Sequence, residues 1–239
     1  MKVIVVENYE EISKKAFEVM KEIVTSKPNA VLGLATGSSP IGLYENMIKD
    51  HTENHTSYKD CQSFNLDEYV GIPRDHEQSY YTFMHENLFK GIDIKEENIH
   101  LPYGNTKEDC AAYEKAMENV AVDVQVLGIG GNGHIGFNEP GTPFEEETHI
   151  VTLTQGTRLD NARFFENDVN KVPTHAITMG IATIMKAKSI LLVANGANKA
   201  DAVKAMIEAK PSTDCPASVL QNHKNVTVIL DKAAASKLK

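Results

Sequence analysis

The chain has 239 residues, of which 41% are hydrophobic and 24% are charged, and this length predicts one large domain over residues 1–239. The formal net charge of −9 argues against a broad nucleic-acid-binding surface, which needs clustered Lys and Arg. No apolar run approaches the roughly 18 residues of a membrane span, and widely spaced cysteines favour free thiols over disulfide or zinc frameworks. We therefore expect a cytoplasmic protein without a signal peptide, a membrane partner or a metal.

Short β-branched runs alternate with helical patterns along the chain. The predicted strands are Lys2–Val6, Ala30–Ala35, Cys61–Asn65, Val122–Ile129, Ala176–Met179, Ser189–Ala194 and Val226–Leu230. This alternation predicts an α/β fold with a mainly parallel, twisted sheet and helices on both faces.

The first predicted helix follows Asn8, a candidate N-cap with Glu11 three positions later, and ends before Pro28. The other predicted helices start near Pro40 or cover Tyr80–Leu88, Lys107–Val120 and Lys199–Ile207, with Ser79 and Thr106 as caps. The stretch 145–174 is less regular and rich in polar residues, and we predict that it forms a mobile lid.

The first candidate site is the turn Ala35–Pro40, where a buried strand passes through a glycine and hydroxyl side chains into a helix. Such a turn points free backbone N–H groups at one spot, and the helix dipole favours an anion there. A phosphate would then be bound by Thr36, Gly37, Ser38 and Ser39. The residues alone fit equally well an ordinary turn in which Ser39 is the N-cap.

Two adjacent carboxylates, Asp67 and Glu68, follow the strand that ends at Asn65. Neighbouring side chains in an extended segment point to opposite sides, so only one of the two faces a given ligand. A partly buried carboxylate beside a sugar carbon suits a general base that removes a proton next to a carbonyl or imine. The alternative is an aspartate that only orders the following turn.

The stretch Gly128–Pro140 is rich in glycine, which lets the backbone turn sharply and approach a ligand. Histidine is the usual proton-transfer residue near neutral pH, and Glu139 is close enough in sequence to orient the His134 ring. Such a pair suits proton transfer to the ring oxygen of a sugar. The Gly-x-Gly-x-x-Gly spacing at 128–133 also matches a dinucleotide site, but the residues after it make a poor helix start.

Two basic residues are further candidates. Lys199 follows a strand near a helix start, where a cation calls for an anionic partner, although a solvated lysine is the commoner explanation. Arg163 has the same ambiguity, and its guanidinium suits bidentate phosphate contact.

These stretches together resemble the glucosamine-6-phosphate deaminase family over nearly the whole chain. The resemblance is carried by Leu34–Pro40, Asn65–Gly71, Ser79–Met84, Gly133–Pro140 and Arg163–Phe165. It implies a modified Rossmann-like fold and a hydrolase that converts glucosamine 6-phosphate to fructose 6-phosphate and ammonia without a metal or organic cofactor.

The resemblance also implies a role for each candidate. Asp67 matches the general base that takes the C2 proton and returns it at C1. His134 matches the acid/base of ring opening, and Glu139 the carboxylate that relays charge to it. The positions that hold the 6-phosphate are matched by Thr36–Ser39, Arg163 and Lys199.

Two departures from the family pattern are expected to matter. Asn132 stands where some members carry an aspartate, and an amide stabilises an imidazolium less, so we expect a shifted pH optimum for ring opening. His149 and Val151 replace basic residues of members activated by N-acetylglucosamine 6-phosphate, and the chain ends soon after its last strand. We therefore expect no such activation, and we favour a monomer over a homo-oligomer.

Two alternative functions are also compatible with parts of the sequence. A 6-phosphogluconolactonase shares the broad fold group, but its histidine loop is expected to continue Gly-His-Thr rather than Gly-His-Ile. A non-catalytic sugar-phosphate sensor would need only the phosphate turns, whereas this chain also has Asp67, His134 and Glu139 and no helix-turn-helix segment before its first strand.

Overall fold

Seven parallel strands form the centre of the protein in the computed structural model, which describes residues 1–239. With all strands numbered in chain order, these are β1 (Lys2–Val6), β2 (Val31–Leu34), β3 (Gln62–Asn65), β5 (Ile99–His100), β6 (Val124–Leu127), β9 (Ile190–Ala194) and β10 (Val226–Asp231). Their order across the sheet is β1-β10-β9-β6-β2-β3-β5. The predicted mainly parallel sheet is confirmed.

A second, antiparallel sheet packs beside the first. It contains β4 (Asp67–Tyr69), β7 (His149–Thr152) and β8 (His175–Thr178), in the order β4-β8-β7. The predicted strand Ala176–Met179 therefore exists as β8, but placing it in the parallel sheet was wrong. A local sequence pattern indicates that a segment is extended, but it does not indicate which strand the segment pairs with. The shortest strands, β4 and β5, were not predicted because they contain too few residues to show a periodic pattern.

Seven α-helices surround the sheets. They are α1 (Tyr9–Ser26), α2 (Ile41–Asn54), α3 (Tyr80–Asn87), α4 (Lys107–Met117), α5 (Gln155–Asn161), α6 (Ile181–Met185) and α7 (Ala200–Glu208). Short 3₁₀ segments include Ala162–Phe164, Ala197–Lys199 and Pro216–Asn222. The predicted helices are confirmed with small differences at their ends, whereas α5 and α6 were not predicted.

Side-chain caps set the helix starts that the sequence indicated. The Asn8, Ser79 and Thr106 side chains accept hydrogen bonds from backbone N–H groups of α1, α3 and α4 at 3.0, 3.0 and 3.1 Å. Each such cap typically stabilises a helix by about 1 kcal/mol. On α1, Ile12, Ala16 and Met20 are fully buried, so the apolar stripe of this helix faces the core.

The strands at the centre of the parallel sheet are buried at every residue, as β2, β6 and β9 show. A strand of this kind has apolar neighbours on both faces, which is typical of a parallel sheet covered by helices on both sides. A smaller apolar cluster, which includes Tyr69, Phe137 and Phe165, lies against the antiparallel sheet. None of the helices combines the length and apolar character needed to cross a membrane.

The strand order reverses direction between β2 and β6. From β2 the chain runs outward through β3 to β5, and it then returns to β6 on the other side of β2. In open parallel sheets such a reversal leaves a crevice at the carboxyl ends of the strands. The turn 36–39 follows β2, the segment with Asp67 follows β3, the histidine loop follows β6, and Lys199 follows β9. All four candidate segments therefore lie at one edge of the sheet.

Gly180 lies between β8 and α6 and packs against the backbone of the segment that precedes β7. A side chain at this position would test how tight that contact is. A Cβ atom at Gly180 would lie 2.0 Å from the Glu146 carbonyl oxygen and 2.2 Å from that of Glu147. We expect Gly180→Ala to lower the free energy of unfolding, measured in urea, by about 2 kcal/mol or more, because backbone atoms must move.

The matched control is Gly156→Ala on α5, where the nearest atom to the new Cβ is Thr154 Oγ1 at 3.9 Å. This exposed helical position should gain up to about 1 kcal/mol from helix propensity. Equal stabilities for the two variants would contradict the proposed clash.

Candidate active site

A cleft of about 320 Å³ opens at the strand reversal. Most of the predicted site residues line it: Thr36, Gly37, Ser38, Ser39, Asp67, His134, Arg163 and Lys199. Asn132 and Glu139 do not line the cleft. They lie behind His134, where they contact its ring and each other.

The turn 36–39 presents unused backbone donors to the cleft. None of its N–H groups donates to a protein acceptor, and Gly37 has a φ of 87°, which few residues other than glycine adopt. The Tyr9 hydroxyl donates to the Ser38 carbonyl at 2.9 Å and so fixes the turn from outside. The cap position of α2 is Pro40 and has no side-chain hydrogen bond, so the alternative in which Ser39 caps the helix is wrong.

Two cations, Arg163 and Lys199, line the same cleft as this turn. Lys199 makes no ion pair with a carboxylate, and burial lowers its pKa, with Asp160 opposing and Arg163 adding to that shift. The guanidinium of Arg163 lies 4.7 Å from the Phe164 ring centroid and is otherwise exposed. Two positive charges near free N–H groups favour a doubly charged anion such as a phosphate.

Burial destabilises the charged form of the Asp67 carboxylate, and no hydrogen bond offsets this effect. Its side chain is only 6% exposed. Burial, with a further contribution from the negative charge of Glu68, raises the pKa of Asp67 to about 8, and no hydrogen bond opposes the shift. The histidine loop approaches closely, since a Cβ at Gly136 would lie 3.6 Å from Asp67 Oδ2. A carboxyl group of this kind is a proton acceptor whose pKa lies near neutral pH.

Glu68 points away from the cleft, as alternation along a strand requires. Its carboxylate accepts hydrogen bonds from the backbone N–H groups of Tyr69, Tyr80 and Tyr81 at 2.9, 2.9 and 3.0 Å. Glu68 therefore ties β4 to the start of α3, and it leaves Asp67 as the carboxylate that can reach a ligand.

The amide of Asn132 bridges His134 and Glu139. Asn132 Nδ2 donates to Glu139 Oε2 at 2.7 Å, and Asn132 Oδ1 lies 2.8 Å from His134 Nδ1. A carboxylate only accepts hydrogen bonds, so the amide nitrogen must face Glu139 and the amide oxygen must face the imidazole. His134 Nδ1 therefore carries a proton, which leaves Nε2 as the acceptor in the neutral ring.

Glu139 is buried but fully bonded, in contrast to Asp67. Burial raises the pKa of its carboxyl, but the nearby His134 imidazole and hydrogen bonds from Thr157 and the Asn132 amide together hold the pKa at about 2. Glu139 Oε2 lies 3.6 Å from His134 Nδ1. Glu139 is thus an anion at any working pH and can stabilise a protonated imidazole.

Glycine is required where the histidine loop packs on itself. A Cβ at Gly130 would lie 2.2 Å from His134 Nδ1, and one at Gly133, where φ is 85°, would lie 2.5 Å from Cys215 Sγ. No helix starts after Gly133, because a bridge between Ile135 and Asn138 follows. The glycine spacing therefore shapes a turn around the imidazole, and the structural context of a dinucleotide site is missing.

Sequence reasoning missed several residues of the cleft. Thr157, Asp160 and Asn161 on α5 and Asn198 before α7 all line it. The segment 145–174, predicted as an irregular lid, contains β7, α5 and a 3₁₀ turn. Its polar composition was noted, but an isolated hydroxyl or amide on an unpredicted helix gives no sign of the cleft it faces.

The model of one protein family, described as glucosamine-6-phosphate isomerases/6-phosphogluconolactonase, matches residues 7–229. The chain belongs to this family. Similar members include a glucosamine-6-phosphate deaminase from Thermoanaerobacter sp. (strain X514), 50% identical over 99% of this chain and 94% of that protein. Another, from Halalkalibacterium halodurans, is 51% identical over 100% of this chain and 98% of that protein.

Two solved structures are also similar to this chain. A monomeric glucosamine-6-phosphate deaminase superimposes with a TM-score of 0.96 at 44% identity, covering 99% of this chain and 100% of that one. The 6-phosphogluconolactonase from Trypanosoma cruzi has a TM-score of 0.81 at 22% identity, covering 100% of this chain and 97% of that one. The second likeness shows a common fold alone.

Replacing Asp67 tests whether its carboxyl is held in an unfavourable environment. Its folded-state pKa of about 8 lies above the ordinary value of 3.8, so its contribution to stability is greatest below about pH 4 and is lost as the pH rises through about 8. The Asp67→Asn side chain does not ionise, so the variant does not lose stability in this way as the pH rises. We expect the variant to become more stable than the wild type by a few kcal/mol at about pH 8, measured by urea unfolding.

The control for this experiment is Asp160→Asn, in the same cleft at an exposed position. Water solvates that carboxylate in the folded and unfolded states, so we expect no comparable gain. A constant difference between Asp67→Asn and the wild type from pH 5 to 8 would show that the carboxyl is not destabilised by burial.

The Asn132 bridge predicts the effect of restoring an acidic residue. In Asn132→Asp, a carboxylate oxygen would replace the amide nitrogen that now lies 2.7 Å from Glu139 Oε2, and a further negative charge would face His134. Because that charge favours the protonated imidazole, we expect the limb of the kcat profile set by His134 to move upward by about one pH unit. An unchanged profile would contradict this interpretation of Asn132.

Proposed function

We propose that this protein converts glucosamine 6-phosphate and water to fructose 6-phosphate and ammonia, which makes it a hydrolase by overall balance. One observation carries the proposal: the buried, unbonded carboxylate of Asp67 shares a single cleft with the free amides of residues 36–39 and the cations Arg163 and Lys199. The full-length similarity to deaminases at about 50% identity supports it.

The 6-phosphate is assigned to the end of the cleft formed by Thr36, Gly37, Ser38 and Ser39 with Arg163 and Lys199. A dianion there accepts from the backbone N–H groups and neutralises two charges that otherwise repel each other. Binding at this remote group fixes the sugar so that its reacting carbons lie beside Asp67 and His134.

Ring opening is assigned to His134. Its Nε2 atom takes the proton of the anomeric hydroxyl and returns one to the ring oxygen, so no net proton is lost. Asn132 holds the tautomer, and the anionic Glu139 stabilises the imidazolium formed on the way.

Isomerisation is assigned to Asp67. Its carboxylate removes the proton at C2 of the open aldehyde and delivers it to C1. The C1 oxygen gains a proton and the amino nitrogen loses one, so C1 becomes a primary alcohol and C2 becomes an imine. Water then adds to this imine, and ammonia leaves as C2 becomes the ketone of fructose 6-phosphate. Ring opening and the transfer from C2 to C1 are assigned to side chains of the chain itself, and the proposal includes no metal or organic cofactor.

Several further assignments belong to this proposal. We place the enzyme in the cytoplasm, where its three free, buried cysteines stay reduced. We favour a monomer, which agrees with the similar structure of a monomeric deaminase. Closure of the segment 145–174 over the substrate, and the lack of activation by N-acetylglucosamine 6-phosphate, stay predictions.

The assay of products tests the proposal directly. The wild type should release ammonia and fructose 6-phosphate from glucosamine 6-phosphate, whereas Asp67→Asn and His134→Gln should each lose about 10²–10⁴-fold in kcat. Glu68→Gln is a poor control because Glu68 anchors α3, so Asp160→Asn is used instead. Hydrolysis of 6-phosphogluconolactone without ammonia release would favour the lactonase alternative. Near-full activity in either variant would refute the assigned roles.

A further inference from the structure

Thr157 lies where α5 meets the back of the histidine loop. Its side chain is 8% exposed and reaches the cleft from the third position of the helix. None of the steps described above uses this residue, although it touches one of the groups on which ring opening depends.

The hydroxyl of Thr157 is oriented by its neighbours. Thr157 Oγ1 donates a hydrogen bond to Glu139 Oε1, while Thr154 Oγ1 donates to Thr157 Oγ1 at 3.0 Å. The backbone N–H of Thr157 in turn donates to Thr154 Oγ1 at 3.2 Å, as an N-cap requires. Because the hydroxyl already accepts from Thr154, its own proton is left to point at Glu139.

Glu139 is consequently held at both carboxylate oxygens, and the Thr154 hydroxyl adds a longer contact of 3.5 Å to Oε1. Oε2 accepts from Asn132 Nδ2 at 2.7 Å, and Oε1 accepts from Thr157. Two donors on opposite oxygens fix both the position and the plane of the carboxylate, which keeps Oε2 at 3.6 Å from His134 Nδ1. With the Thr157 bond removed, Oε1 keeps only the longer contact with Thr154, and rotation of the carboxylate about its last bond is restrained mainly by Asn132.

We propose that Thr157 is a positioning residue for ring opening, which holds the Glu139 carboxylate against the Asn132–His134 pair. The inference rests on the proposed function of this cleft. It also joins two parts of the site, because α5 continues into the 3₁₀ turn that carries Arg163. The helix that fixes the carboxylate behind the imidazole therefore leads directly into the turn that carries the cation assigned to the phosphate.

The test compares Thr157→Val, which replaces the hydroxyl by a methyl group of similar size, with Thr157→Ser, which keeps the hydroxyl. We expect Thr157→Val to lower kcat by about 10-fold or more, since hydrogen bonds to charged groups are among the stronger ones, with little change in KM. Thr157→Ser should recover most of that loss. If the valine variant does not fold, Thr157→Ala takes its place.

Thr183→Val is the matched control. Thr183 is also 8% exposed, and its hydroxyl also donates to a glutamate, Glu114, but this pair does not line the cleft. The control should lower the midpoint of urea unfolding while kcat stays within about two-fold of the wild type.

A double-mutant cycle separates positioning from general destabilisation. If Thr157 acts through Glu139, Thr157→Val should lower kcat by less than about two-fold when Glu139→Gln is already present. An equal loss in both backgrounds, or a kcat of Thr157→Val within about two-fold of the wild type, would overturn the inference while the proposed function stands. A wild type that releases no ammonia would refute the proposed function, and the inference would fall with it.

Discussion

The burial of one carboxylate without a hydrogen-bond partner is the constraint on which the site depends. Taking a charge out of water without a partner is costly, so Asp67 keeps its proton until about pH 8. The backbone around Asp67 stays in place despite this unfavourable burial, for two reasons. Asp67 is the first residue of β4 and pairs with Thr178 of β8, and the carboxylate of its neighbour Glu68 accepts hydrogen bonds from three backbone N–H groups. The backbone is thus held by strong contacts that leave the reactive side chain free.

The pKa of the Glu139 carboxyl is lowered, whereas that of the Asp67 carboxyl is raised. Glu139 is nearly as buried, at 7% against 6% exposure, yet hydrogen bonds hold its pKa at about 2. Environment alone therefore separates the two carboxylates into a proton acceptor and a permanent anion. The separation suits two different steps, because an imidazolium needs a fixed counter-charge whereas a carbon acid needs a base that can hold a proton.

The topology of the sheet explains how distant segments meet. The turn after β2, Asp67 after β3, the histidine loop after β6 and Lys199 after β9 are far apart in sequence, yet they share one edge of adjacent strands. The antiparallel sheet adds a second constraint, because Phe137 N donates to Thr178 Oγ1 at 3.1 Å. That contact fastens the histidine loop to the strand that pairs with Asp67, so the base and the ring-opening group are fixed to a common support.

The α/β class, most helix starts and the identity of the polar residues after each strand were readable from the chain, because caps, β-branched runs and glycine turns are local signals. The choice of Asp67 over Glu68 came from the resemblance to the family, since the residues themselves left both carboxylates open. The placement of β8 in an antiparallel sheet and the position of Asn132 between His134 and Glu139 were not readable from the chain. The role of Thr157 was not readable either, because only the structure shows that its hydroxyl contacts Glu139. These features depend on contacts between residues remote in sequence, and on burial, which determines whether a given carboxylate holds a proton or a charge.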